Sequence, residues 1–448
     1  MDSLDFDVVV CGGGPTGVMA ATAAARAGAK TLVVERHGFP GGSSTAALVH
    51  PWLSFHNKRG EVVLAGLGQE LVDRLVACGG SPGHLRDSIG FVYSLTPFDP
   101  DLTKIEMQKM LLESGAEVLL HTFITGVERV NDEVRSISVV MKGREETIRA
   151  RTFIDATGDA DIAWRAGAPI QPNRKNGELT TQPLTMNVRL SGVDWEPIRR
   201  FILDNPDEFH DETLFDDLRK GEPLTGVSGF FSLFRAANEK LGIPRDRLLF
   251  FSGNQPDECY VNTSRVTQLD GSDGFDLSAA ELEGRRQVAA LATWMKAEVP
   301  GFANSYISCI PTQIGVRETR RIEGDYILTQ DDVVRGARFA DAIARSAYPV
   351  DIHAPTGAGL VTSEAPENFY EIPFRSLLPR GLENVIVAGR CISATHEGHA
   401  STRLTPTCFA MGQAAGLAAA LCTRENKRPR ELDFALLRDE LRAHNALV

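Results

Sequence analysis

The chain opens on an unbroken apolar run, Val8-Val9-Val10-Cys11, breaks on Gly12-Gly13-Gly14, and resumes as a small-residue stretch from Pro15 to Ala27. A second apolar run, Leu32-Val33-Val34, ends in Glu35. Short runs without alternation suit strands covered on both faces, and the alanine-rich stretch between them, with proline at its start, predicts a helix. Leu67, Leu71 and Leu75 recur at helical spacing within 66–78, and 102–114 predicts a further helix. From 117 the pattern shortens to alternating runs at 118–121, 124–130, 135–141 and 147–150, which predict a small β-meander. The apolar pair Phe153-Ile154 then enters a glycine turn at Ala156-Thr157-Gly158.

Between about 165 and 375 the texture changes to longer helices (195–205 and 279–298), proline turns and charge. Strand and glycine turn then return at Val385-Ile386-Val387-Ala388-Gly389-Arg390, followed by a small-residue helix over 406–422. The pattern predicts an α/β protein in which a first domain, 1–165 and 375–448, is interrupted by an inserted α+β domain at 166–374. A length of 448 residues agrees with two domains.

The opening strand, glycine turn, helix and acid-tipped strand form the unit that receives the ADP half of a dinucleotide. Gly12 permits the tight turn, Gly14 lets backbone approach a pyrophosphate, and Gly17 lets the helix lie against the strand. The helix start at Pro15 and Thr16 offers N–H groups to phosphate. Glu35, with Arg36 beside it, stands where an acid takes ribose hydroxyls. The first domain is therefore expected to be Rossmann-like.

The net charge of −12 argues against nucleic acid and acidic membrane surfaces as partners, while local arginines leave a small anionic substrate open. The acidic start, Met1-Asp2-Ser3-Leu4-Asp5, runs straight into the first strand and leaves no room for a secretory signal; no apolar run is long enough to insert in a bilayer. Seven cysteines are scattered without a CxxC pair, which fits reduced thiols and gives no support for zinc, iron–sulfur or disulfide chemistry. A cytoplasmic location without a bound metal is expected.

Beyond these elements, CGGGPTG at 11–17, FPGGSST at 39–45, IDATGDAD at 154–161, GVRETRR at 315–321, YPVDIH at 348–353, YEIPFR at 370–375 and AGRCISATHEGHASTRLTPTCFAMGQAAG at 388–416 resemble the FAD-dependent oxidoreductase family, in family order along nearly the whole chain. The chain is also distantly similar to the fumarate reductase and succinate dehydrogenase flavoproteins. The resemblance implies an FAD-binding domain of the two-dinucleotide-binding type, with Gly12, Gly14 and Gly17 at the pyrophosphate and Glu35 at the ribose. It places Ile124 at adenine, the turn Ala156-Thr157-Gly158 over the nucleotide, and Gly41, Gly42 and Ser43 near the ribityl chain or ring. At the C-terminal glycine, Gly389-Arg390 replaces the aspartate pair of many flavoenzymes: either Arg390 meets a phosphate or the backbone of Gly389 does the work. The surroundings of His37 do not match the element of covalent attachment, so non-covalent FAD is implied.

Thr405 precedes Pro406 at the start of the last small-residue helix, where it is expected to cap free N–H groups; with Thr407 it lies near the flavin edge. His353, His396 and His399 fall inside the family motifs at that edge, His353 being expected to titrate near neutrality as a proton donor or acceptor. His84, His210 and His444 read as surface or capping residues and His121 as structural. Arg403 matches the position that grips a substrate carboxylate in the fumarate reductase relatives; the competing reading is an ion pair with Glu397 or Glu364. The cluster at 317–323 reads as an ion-pair network in which Arg317 is the candidate for substrate contact. The activity implied is two-electron oxidation or reduction of a small polar, anionic-compatible molecule with an external electron donor or acceptor. An oxidase or monooxygenase and a non-catalytic flavin sensor are the rivals, and an oligomer is compatible with all three.

Overall fold

The computed structural model describes residues 4–209, 212–363 and 366–448. Strand β1 (Asp5–Cys11), helix α1 (Pro15–Arg26) and strand β2 (Thr31–Val34) form the opening unit. Two further helices, α2 (Leu67–Ala77) and α3 (Pro100–Ser114), precede strand β3 (Glu117–Leu119). Strands β4 (Phe123–Val130), β5 (Glu133–Met141) and β6 (Arg144–Asp155) follow, and β7 (Val385–Val387), α4 (His396–Thr402) and α5 (Thr405–Glu425) come from the C-terminal part.

The parallel sheet runs β3-β2-β1-β6-β7. Strand β6 serves two sheet regions. Its first half pairs antiparallel with β5, which pairs with β4, and its second half lies parallel between β1 and β7. Burial along β6 changes accordingly, from alternating to continuous at Thr152–Asp155, as a strand passing from a half-solvated to a doubly covered environment requires.

The expected meander is corrected in two places. The run at 118–121 contributes β3, a parallel neighbour of β2, instead of the meander's first strand. The runs at 147–150 and 152–155 are one strand. Apolar alternation does not reveal a pairing partner eighty residues upstream. The Rossmann-like α/β fold itself holds.

Helix α5 lies backbone to backbone on α1. A Cβ added at Gly412 would stand 2.2 Å from the Thr16 carbonyl oxygen, and one at Gly416 would stand 2.1 Å from that of Ala20. Both helices are buried along most of their length. Helix α5 begins at Thr405 itself, with Leu404 at the cap position and no side-chain hydrogen bond to the free N–H groups, so the expected capping role of Thr405 is corrected.

The middle segment builds an antiparallel sheet in the order 226–229, 248–252, 259–261, 188–191, 306–309, covered by the helix Gly274–Glu298. That helix starts five residues before the sequence reading because the Asp273 side chain accepts from the N–H groups of Phe275 and Asp276. Val188, Leu190, Val227, Phe250, Val288 and Leu291 belong to a second core. Ile343, Ala344, Tyr370 and Ile372, within the expected insert, pack into the first core with α1 and α5.

Candidate functional site

A cavity of about 750 Å³ runs between the glycine loop and the middle segment. At the loop end Gly12 turns with φ +101°, and a Cβ there would meet the Ala156 carbonyl oxygen at 2.7 Å. A Cβ at Gly17 would stand 1.8 Å from the Gly12 oxygen. Gly14 is different: its φ is −70°, and nothing lies nearer to an added Cβ than Gly42 Cα at 3.9 Å. Helix α1 starts there with Pro15 in its first turn and no side-chain cap. The Gly41 N–H donates to the Gly13 carbonyl oxygen at 2.8 Å and fastens the second loop to the first.

Glu35 is buried; its Oε2 accepts from the Gly13 N–H at 2.7 Å and its Oε1 from the His37 N–H at 2.8 Å. Arg36 donates to Gln313 Oε1 at 2.6 Å. Gly12, Gly14, Pro15, Thr16, Glu35, Arg36, Gly42, Ser43, Ile124, Ala156, Thr157, Gly158, Arg390, Thr405, His353 and Arg403 all lie in the cavity wall. Gly17, Gly41, Gly389 and Thr407 do not line it. The first three allow close packing, Gly17 against backbone and the others against threonine side chains: a Cβ at Gly41 would meet Thr45 Cγ2 at 2.4 Å, and one at Gly389 would meet Thr16 Oγ1 at the same approach. Thr407 is buried and donates to Ser346 Oγ at 3.1 Å.

Arg390 donates to Asp159 Oδ1 at 2.6 Å, and Thr319 Oγ1 donates to the same oxygen at the same distance. Its charge is thus matched inside the protein. Burial opposes the charge on Asp159, but Arg390 and Thr319 hold its carboxyl below the usual range. Asp155 closes the neighbouring turn by accepting from the N–H groups of Thr157, Ile162 and Ala163, and burial pushes it up to about 6.

At the opposite end Arg403 Nη2 donates to Gln182 Oε1 and to the Asp351 carbonyl oxygen, both at 3.3 Å, and lies 3.5 Å from the Asp351 carboxylate. Of the ion pairs anticipated for Arg403, the one with Glu397 is replaced by Asp351; Glu364, the other, and His210 lie outside the described residues. His353 Nε2 is 3.7 Å from the same carboxylate, and the Tyr348 hydroxyl donates to it at 3.1 Å. Burial opposes the charge of Asp351, but His353 and Arg403 keep it well below the usual carboxylate range. Burial and Arg317 push His353 down to about 3, so the expected titration near neutrality is corrected: the imidazole is neutral there.

His396 is corrected as well. It lies outside the cavity wall, with Nδ1 2.9 Å from Glu318 Oε1, because the Thr395 side chain caps α4 and turns the first residue of that helix toward Glu318. His399 is buried beside it, with both ring nitrogens lacking a hydrogen-bond partner. Although burial opposes ionisation, His399, His396 and Arg321 hold Glu318 down to about 2. Arg317 lines the cavity and donates to the Pro183 carbonyl oxygen at 3.0 Å, to Thr185 Oγ1 and to Asn262 Oδ1 at 3.2 Å.

Sequence reasoning missed Tyr348 and Asp351, although both stand in the quoted YPVDIH motif, and missed Asp159 within IDATGDAD. It also missed His50, Arg245 and Arg265, which line the cavity from parts of the chain carrying no motif. Among the described residues no group of three or more His, Cys, Asp or Glu side chains is placed to hold a metal ion.

A family model described as FAD dependent oxidoreductase matches residues 7–441. The chain belongs to this family. Its cavity fits FAD at the loop end: the wall is open where Gly14 lacks a side chain, and the starts of α1 and α5 are uncapped. The flavoenzyme is 28% identical over 201 residues to a digeranylgeranylglycerophospholipid reductase of Methanocella arvoryzae, covering 42% of this chain and 48% of that protein. It is 31% identical over 190 residues to a thiamine thiazole synthase of Methanococcus aeolicus, covering 40% of this chain and 63% of that one. The chain thus spans about half to two thirds of the length of these curated relatives. Among solved structures, a geranylgeranyl bacteriochlorophyll reductase-like protein from Thermoplasma acidophilum superposes with a TM-score of 0.48 at 14% identity, covering 98% of this chain and 83% of that one. The p-nitrophenol 4-monooxygenase of Pseudomonas putida gives 0.48 at 13% identity, covering 97% and 84%.

Proposed function

We propose that the flavoenzyme binds FAD non-covalently and moves two electrons to or from a small anionic molecule, with an external donor or acceptor completing the cycle. The observation that supports this reading is one cavity extending from the uncapped start of α1 to the guanidinium groups of Arg317 and Arg403. FAD supplies the hydride and electron chemistry when bound. Gly12, Gly14 and the first turn of α1 receive its pyrophosphate. Glu35 keeps lone pairs beyond those engaged by Gly13 and His37, and these are available to ribose hydroxyls. The open first turn of α5 at Thr405 favours negative charge in the adjoining part of the cavity.

Arg403 holds an anionic group of the substrate. Asp351 and Gln182 fix the guanidinium from behind, and its Nε is buried without a partner. The backbone N–H of His353 donates to Gln182 Oε1 at 3.2 Å and so fixes the amide that holds Arg403, while the neutral imidazole stands beside Asp351. The unpaired state of all seven cysteines agrees with a cytoplasmic location.

Anaerobic bleaching of the yellow protein by a panel of hydroxy acids, dicarboxylates, amines and polyols should single out an acid. With that acid, Arg403→Lys should stay yellow but be reduced more slowly by a factor on the order of 10², since the charge remains and the planar fork is lost. Bleaching by neutral polyols or amines alone would overturn the assignment. FAD should leave the polypeptide on acid precipitation; colour kept in the pellet would mean a covalent link.

A further inference from the structure

The end of the cavity away from the glycine loop holds more positive charge than the protein neutralises. Arg245, Arg247, Arg265, Arg317 and Arg403 line it together with the carboxylates Asp246 and Asp351. Asp246 is held by both Nε and Nη2 of Arg247, at 2.9 and 2.8 Å, and Asp351 pairs with Arg403. Asp87, a further carboxylate of the wall, is taken up by the N–H groups of Ile89, Phe91 and Val92.

Arg245, Arg265 and Arg317 are left without a carboxylate of their own. Arg317 has neutral acceptors, and Arg265 Nη2 donates to the carbonyl oxygens of Ala354 and Gly359 at 2.7 and 3.0 Å, leaving its Nε unpartnered. Arg245 has less still. It is 9% exposed, its Nε is unpartnered, and among the described residues its guanidinium makes no hydrogen bond or ion pair. Burial first, then Arg265 and Arg247, push it down to about 10, which leaves it charged at neutral pH. A buried cation with no counter-charge is costly, and a cavity that keeps one is preorganised for an anion.

We propose that Arg245 and Arg265 form a second anion subsite, so that the substrate carries two anionic groups, one held by Arg403 and the other by this pair. The inference rests on the anionic-substrate reading above and adds the second charged group, a carboxylate or a phosphate. Arg317 lines the same cavity and feels the charges of Arg403, Arg245 and Arg265. A planar guanidinium with a free Nε suits either oxyanion.

The test is titration of the FAD-loaded protein, read by the flavin difference spectrum, with valerate, glutarate and 2-phosphoglycolate. Glutarate or phosphoglycolate should bind at least tenfold more tightly than valerate, and the tighter of the two names the second group. In Arg245→Gln that advantage should fall at least tenfold, with flavin occupancy unchanged. The ligand-free Arg245→Met protein should melt at a higher temperature, because an unpaired buried charge has been removed; a structural arginine would give a lower one. Equal binding of valerate, glutarate and 2-phosphoglycolate overturns the second subsite and leaves the anionic reading standing. Failure of all three anions to perturb the flavin overturns both.

Discussion

Gly14 and Gly17 stand three residues apart in one loop and differ in what a side chain would meet. At Gly14 the space is open and the backbone lies in an ordinary region, so Gly14→Val should fold yet fill the volume that the pyrophosphate needs. At Gly17 the added atom strikes a backbone oxygen, and Gly17→Ala should lower stability of the FAD-free protein by about 3 kcal/mol. Urea unfolding of both apoproteins with FAD titration separates the two: near-normal apoprotein stability and a colourless product for Gly14→Val, early unfolding for Gly17→Ala. Full yellow occupancy in Gly14→Val would remove the loop from the cofactor site. The glycine loop was legible because its geometry is local. Asp351 was not, because the ion pair that matters to Arg403 joins residues 52 positions apart. Arg245 lay beyond reach altogether: an arginine in a charged stretch reads as surface until the fold buries it.

Among the elements, α1 and α5 carry the most constrained contact. Gly412 and Gly416 sit one turn apart on α5 and face carbonyl oxygens of α1. A larger residue must push the helices apart, and Gly416→Val should cost about 3 kcal/mol in urea unfolding. Because the first turn of α1 belongs to the cavity wall, FAD affinity should fall with it; unchanged stability and affinity would show that the crossing tolerates displacement. The small residues of both helices announced close packing in the sequence. Strand pairing was less legible. Strand β3 pairs with β2 across the whole of α2 and α3, and the single strand β6 read as two runs, because period-two alternation stops where the second face becomes covered.

For the whole molecule, acid should be the destabilising direction. Burial pushes His50 and His353 down to about 3 and His84 to about 4, so below pH 6.5 the unfolded chain binds protons that the folded one refuses. Glu318, held down to about 2, adds stability above its ordinary value that is lost as pH falls toward 2. Asp155, raised to about 6, acts in the opposite sense between its ordinary value and 6, and is outnumbered. Between pH 6.5 and 5, His50 alone should cost about 2 kcal/mol. The urea midpoint should therefore fall over this range, less steeply in His50→Gln; a flat or rising midpoint in the native protein would contradict it. Net charge, legible at once, described the exterior and gave no hint of the arginine-rich interior, since an average over 448 residues hides a local excess. The placement of β7 and α5 has one more consequence, in time instead of space. The cavity wall formed by Ala388, Arg390 and Thr405 does not exist until these segments leave the ribosome, so a growing chain carries an unfinished pocket until they have been made. The glycine loop that opens the cofactor site thus waits in translation for a wall made more than 370 residues after it.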